Sequence, residues 1–440
     1  MDSPMRHHAF FRTLAFAAFL FGARSLSAQT YDPGKEMNKW LDENTDHRFR
    51  FTFEFRARPE ARTGNVFGLQ QNLENPLIRT RIGAQWDATP WLRFSAMGQD
   101  ARAPEYGRPA PTSARDTMDL HESYIELFAK NKTGFGAIFG RQMINLGEGR
   151  LIGNPQWSNT SRTFDTVRLY YRLPHARIEL LLTSIVKIRP DDFNRPNLGD
   201  RVWGTYNSFS SFIPKGTVDL YLLRHDQNRP GGFTGRGRVG INTLGARATG
   251  PLPDALKYSL EAAAQNGHTG LLRHRGYAWY SSLSRRVALK LPLDLEVEYK
   301  YASGSKQFGV RDDTFDQLYP ANHDKFGHTD LFGWRNIHNL RSLDTLHILK
   351  PLALNFMYDN WWLASASDAL YNGTGAAIVR SAKGDAGKHV GQETDFFATY
   401  QLSGWTFGAG FVHVFLGDFL RHTTPGVNTR YLYLFQSYTF

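Results

Sequence analysis

Phe49-Arg50-Phe51-Thr52-Phe53-Glu54-Phe55-Arg56-Ala57-Arg58 alternates without a break between apolar and polar side chains. A period of two places Phe49, Phe51, Phe53, Phe55 and Ala57 on one face of an extended strand, and the arginines with Thr52 and Glu54 on the other. The signature returns at Ile78-Thr80-Ile82-Ala84-Trp86 against Arg79, Arg81 and Gln85. It returns again at Val167-Leu169-Tyr171 against Arg168, Tyr170 and Arg172, and at Leu293-Leu295-Val297-Tyr299-Tyr301 against Asp294, Glu296, Glu298 and Lys300. A soluble sandwich would turn such charged faces to bulk water. A membrane barrel turns the apolar faces to lipid and the charged faces to an aqueous lumen. Strands of roughly nine to eleven residues suffice to cross a bilayer when tilted.

The connections alternate in length. Pro/Gly/Asp-rich short ones fall at Asp87–Pro90, Lys130–Gly134, Leu173–Ala176, Phe212–Gly216, Gly250–Leu256, Arg285–Pro292, Lys350–Pro351 and Leu402–Gly404. Long polar stretches fall near 59–76, 100–119, 143–164, 187–203, 225–242, 266–276, 302–335, 364–391 and 417–429. The pattern predicts an all-β fold: a transmembrane antiparallel β-barrel of about eighteen strands, with short periplasmic turns and long extracellular loops. Tyr431 to Phe440 reads as a strand ending on an aromatic residue, suited to close the sheet against the first strand so that no edge is left unpaired in lipid.

Composition agrees. The 440 residues are 14% aromatic, and no run of 18 apolar positions follows the first thirty residues, which excludes a helical membrane protein. The chain has no cysteine, so neither disulfides nor thiolate metal sites can form. Arg6, His7, His8 and Arg12, the apolar run Thr13 to Ala23, and Leu26-Ser27-Ala28 read as a signal peptide cleaved near Ala28. The expected organisation is a signal peptide over 1–28, a periplasmic lead over 29–47 and a barrel in the Gram-negative-type outer membrane over 48–440. The net charge of +11 loses Arg6, Arg12 and Arg24 with Asp2 on cleavage, leaving +9. A basic exported chain implies anionic partners, and a secretory signal argues against nucleic acid.

The segment Gly140 to Tyr171, GRQMINLGEGRLIGNPQWSNTSRTFDTVRLYY, resembles the central motif of the alginate export family, GRQ…GxxRLIG…WxNxxRxFDxxR. Phe315 to Arg341, FDQLYPANHDKFGHTDLFGWRNIHNLR, and Ser367 to Gly375, SDALYNGTG, agree with it in order. The resemblance implies an eighteen-stranded barrel and passive export of an anionic, alginate-like polyuronate. The alternative is a diffusion porin importing small anions or sugars. The implied partners are the polysaccharide, outer-membrane lipid and lipopolysaccharide, and periplasmic export components, with a monomeric barrel.

A polyuronate carries one carboxylate per sugar, and arginine meets a carboxylate with two parallel donors. One such pair at ~4 Å and an effective dielectric near 20 gives about 4 kcal/mol before desolvation. The pore-lining candidates are Arg141, Arg150, Arg162 and Arg168 with Asp165 from the first motif. Arg335 and Arg341 come from the second motif, and Arg56, Arg58, Arg79 and Arg81 from the early polar faces. Each could instead pair structurally with Glu54, Glu122, Glu126 or Asp165. His323-Asp324-Lys325 with His328 and Asp330 fits no tight metal-ligand spacing. With no GxSxG elbow, and with Asp191-Asp192 adjacent on extended chain, no enzyme, metal or cofactor is expected.

Overall fold

The computed structural model describes residues 32–104, 110–129, 133–229, 237–307 and 309–440, so the expected signal peptide and its cleavage point lie outside the described residues. The strands begin with β1 (Phe49–Thr63), β2 (Leu73–Thr89), β3 (Leu92–Arg102), β4 (Asp116–Leu127), β5 (Gly134–Gln142), β6 (Phe164–Leu173) and β7 (Ala176–Lys187). They continue through β8 (Arg195–Phe209), β9 (Thr217–Arg229), β10 (Gly237–Pro251), β11 (Leu256–Thr269), β12 (Leu272–Val287), β13 (Leu293–Ala302), β14 (Ile337–Leu349) and β15 (Leu352–Leu363). A small hairpin, β16 (Ala369–Tyr371) and β17 (Ala377–Arg380), precedes β18 (His389–Leu402), β19 (Trp405–Leu416) and β20 (Thr429–Thr439). Apart from the hairpin, these form one eighteen-stranded sheet.

Each barrel strand pairs antiparallel with its chain neighbour, and β20 pairs with β1 through registers such as Phe55 with Tyr438. The sheet is therefore closed. Seven of the eight short connections lie within the described residues and join neighbouring strands at one end of the barrel, as the Pro/Gly/Asp signals required; the eighth, Lys130–Gly134, falls partly outside the described residues. The polar stretch near 266–276 is not a long loop: β11 and β12 meet at Gly270-Leu271, with Asn266 facing Arg275 and His268 facing Arg273 in an unbroken ladder. Likewise Asp226 and Arg238, from the polar stretch near 225–242, lie on paired strands and not in a loop. These polar residues decorate the outer face beyond the apolar belt, so their polarity mimics a loop while the backbone stays paired.

Ahead of the barrel, α1 (Pro33–Asn44) is capped by Asp32, whose carboxylate accepts from Gly34 N and Lys35 N. Asp32 also accepts from the Tyr438 hydroxyl at 2.7 Å, which ties the helix to the closing strand. At the seam, Phe53 and Phe440 exchange backbone bonds at 3.2 and 3.1 Å, and there β20 ends. The Asn38 amide then takes the place of a strand: it donates to Phe51 O and accepts from Phe51 N, both at 3.1 Å. An edge that would otherwise be free is thereby covered. Replacing Asn38 with alanine should cost about 1 kcal/mol locally. Amide exchange at Phe51 should speed up while exchange at Phe55 and Ala57 stays slow; unchanged protection at Phe51 would contradict the capping role.

Candidate functional site

Outward positions are apolar: Val167, Leu169 and Tyr171 on β6 are exposed, as are Leu220 and Leu222 on β9. Inward positions are charged. The β5–β6 connection, 143–163, does not stay outside but folds into this charged interior. On one wall, Arg56 of β1 donates to Gln156 O and Trp157 O at 2.8 and 3.1 Å. Arg79 of β2 donates to Ser158 O at 2.9 Å and pairs with Glu54. Arg81 reaches the Gln156 side chain at 2.8 Å and Gln99 at 2.8 Å. Arg58 donates to Trp157 O, pairs with Glu60 at 3.3 Å and lies 4.1 Å over the Trp157 ring. Trp157 also packs edge-on to Tyr433 of β20 and stacks on His323.

The same connection is anchored across the barrel. Arg150 pairs with Glu148 at 2.8 Å, lies within 4.0 Å of Glu261 on β11 and 3.9 Å of Glu298 on β13, and sits over the Tyr280 ring of β12. Glu148 is in turn held by Arg247 of β10 at 2.6 Å. In a closed sheet of eighteen strands, β1 and β10 are half a circuit apart. Segment 147–159 therefore crosses the lumen. Burial alone would raise the Glu148 carboxyl, but Arg150 and Arg247 bring it down to about 2.

A second connection, through its described residues 303–307 and 309–336, also folds inward and narrows the outer half. Its residues Phe315, Phe326, Phe332 and Trp334 are fully buried. Asp316 accepts from His225 of β9 at 2.7 Å, and Asp312 pairs with His274 of β12. The two connections join each other through Tyr319 N to Leu151 O at 2.7 Å and Gly153 N to Tyr319 O at 2.8 Å. His323 faces Asp330 at 3.0 Å, and burial pushes neighbouring His328 well below the usual imidazole range, so its ring is neutral. Among the described residues no group of His, Asp or Glu is arranged to hold a metal ion.

The remaining candidates are placed as follows. Arg162 donates to Gly153 O and Pro320 O at 3.1 and 3.0 Å; burial lowers it to about 10, and it stays charged at neutral pH. Arg335 is buried over Tyr371 and 4.0 Å from Asp316. Arg341, fully buried, pairs with Asp359 at 2.9 Å and Glu298 at 3.6 Å, and donates to Asp324 O. Arg168 points inward and bonds Glu179 and Gln142. Arg141 and Asp165 are a correction. They form a two-pronged pair at 2.9 and 3.1 Å on the side shared by exposed Phe139 and Val167, so strand alternation sets them outside the lumen.

Sequence reasoning placed Arg172 on a polar face without choosing it as a pore-lining residue, and passed over Arg177 and Glu179. Arg177 pairs with Glu179 at 2.7 Å, and both Arg172 and Arg177 lie over the Tyr170 ring. Their shared parity with Arg168 along the β6–β7 hairpin was the available signal. It also passed over Trp157 and Glu148, whose roles depend on an inward fold that no local pattern encodes.

A closed antiparallel barrel with an apolar outside and a charged lumen narrowed by inward connections defines an outer-membrane channel, not an enzyme. The chain belongs to the alginate export family, whose sequence pattern matches residues 47–433. No curated protein matches it significantly. Among solved structures it is similar to OpdK of Pseudomonas aeruginosa with vanillate, at 10% identity and a TM-score of 0.63 over 89% of this chain and 98% of that one. It is similar also to OpdO of Pseudomonas aeruginosa, at 13% identity and 0.60 over 89% and 97%. A third is OccD3 (OpdP) of the same organism, at 12% and 0.60 over 89% and 91%. At such identities the likeness is one of fold.

Truncating Arg341 to alanine leaves Asp359 buried without its charged partner and removes a second cation, beside Lys300, from Glu298; it should cost about 3–5 kcal/mol in urea unfolding. A loss under 1 kcal/mol would contradict the pairing. The depressed Glu148 carboxyl gives a sign for acid. Its anchor contributes above the unfolded carboxyl range and is lost only as pH falls through about 2. Single-channel conductance should therefore hold its value from neutral pH to about 4 in the wild type, whereas Glu148→Gln should raise it at both ends.

Proposed function

We propose that the channel passively exports an anionic, alginate-like polyuronate, taken up at the short-turn, periplasmic end. The observation that carries this reading is the basic cluster beside the turn after β6: Arg168, Arg172 and Arg177 surround Tyr170 on the inward face. Family membership and the basic charge of the chain support it. Glu179 accepts from both Arg168 and Arg177 and so moderates the cluster. A carboxylate can exchange with Glu179 on these donors, which suits conduction: binding strong enough to enter and weak enough to leave. On this reading Arg56, Arg58, Arg79, Arg81 and Arg150 act on the polymer through the position of the crossing segment. Arg168 is the motif arginine that meets it.

A second reading, a porin admitting small organic anions or sugars, is favoured by one observation: the similar OpdK structure holds vanillate, an aromatic carboxylate. Planar-bilayer recording separates the two. Export predicts anion preference and block by oligouronates from the periplasmic side. Arg172→Glu with Arg177→Glu should raise the blocking concentration about tenfold or more. Cation preference, or no block, contradicts the first reading, and rapid entry of neutral disaccharides into liposomes supports the second.

A further inference from the structure

We propose that the outer ends of β8 to β12 carry a lipopolysaccharide-binding patch that grips lipid A phosphates from the lipid side. The inference rests on the outer-membrane placement and not on what passes through the lumen.

Two rows of outward side chains cross these five strands. The first runs Trp203, Arg224, Asn242, Asn266 and Arg275, each opposite the next in register. The second runs Arg201, Asp226, Gly240, His268 and Arg273. Arg238, opposite Asn228, continues the patch outward. Five arginines thus face a single carboxylate, and Asp226 is already occupied by Arg224 at 3.0 Å and the Trp203 indole at 2.9 Å. Arg201, Arg238, Arg273 and Arg275 are exposed and have no carboxylate partner among the described residues. Two outward arginines elsewhere are matched: Arg102 pairs with Asp100 at 2.7 Å and Arg141 with Asp165 at 2.9 Å.

The position identifies the ligand. The row directly beneath is Leu222, Leu244, Ala264 and Tyr277, with Leu244 63% exposed, which is the edge of the apolar belt. Cation and belt are separated by one side-chain repeat, roughly 7 Å along a strand. A ligand meeting both rows must carry phosphates immediately above acyl chains. The long-loop end of the barrel faces the outer leaflet, where lipid A has that construction. Gly240 deepens the notch, since a Cβ there would overlap the Arg224 guanidinium and the His268 ring. Asn242 bridges Arg224 and Asn266 at 3.1 Å each, so the floor of the patch is held by side-chain bonds.

The test uses the full chain in detergent, with bisphosphorylated lipid A, dephosphorylated lipid A and inorganic phosphate as probes in native mass spectrometry. The variant Arg201→Ala/Arg238→Ala/Arg273→Ala/Arg275→Ala removes only exposed groups, and heat-modifiable gel mobility reports its folding. Bisphosphorylated lipid A should bind the wild type, with a loss on the order of a hundredfold in the variant and a comparable loss for the dephosphorylated lipid. Arg102→Ala with Arg430→Ala, elsewhere on the rim, should leave binding unchanged. Equal binding of the two lipids, an undiminished variant, or displacement by inorganic phosphate at equimolar concentration would each overturn the proposal.

Discussion

A peptide group left unpaired in hydrocarbon costs several kcal/mol, and everything in this molecule follows from how that cost is avoided. The β1–β20 pairing removes the last two edges of the sheet, and Asn38 covers the short length of β1 that outruns its partner. Closure then fixes which face of each strand meets lipid. Once Phe51, Phe53 and Phe55 face outward, Glu54, Arg56 and Arg58 have no choice but the interior.

That interior is crowded with guanidinium groups that need acceptors. Three on β1 and β2, Arg56, Arg58 and Arg79, find backbone carbonyls of the crossing segment at Gln156 to Ser158, Arg81 finds the Gln156 side-chain oxygen, and Arg150 finds carboxylates on the opposite wall. The charged wall and the inward fold of 143–163 therefore require each other. Without the segment the arginines would rely on water, Glu54, Glu60 and Gln99. Without the arginines the segment's carbonyls would lack donors. The resulting passage is narrow and polar, and its basic groups nearest the short-turn mouth are the ones left with exchangeable partners.

Much of the fold was legible because its rules are local. Period-two alternation gave the inward and outward faces of β1, β2, β6 and β13, and turn chemistry located the seven short connections that lie within the described residues. The failures have physical causes. Asn266, His268, Arg273 and Arg275 are polar yet paired, since water and headgroups begin before the strands end. Arg141 has the residue type and motif context of a pore arginine, but only the phase of β5 says which side it takes. Trp157, Glu148 and Tyr319 owe their positions to contacts between segments far apart in sequence, which no window of sequence displays.

The central claim is that segment 147–159, held by the arginines of β1 and β2 and by Arg150, bridges the lumen and sets its width. Single-channel conductance of a chain in which residues 147–158 are replaced by a short glycine-serine linker measures this directly. The account requires a conductance severalfold above that of the intact chain, with the barrel still heat-modifiable. A folded variant that conducts as the intact chain does would contradict it.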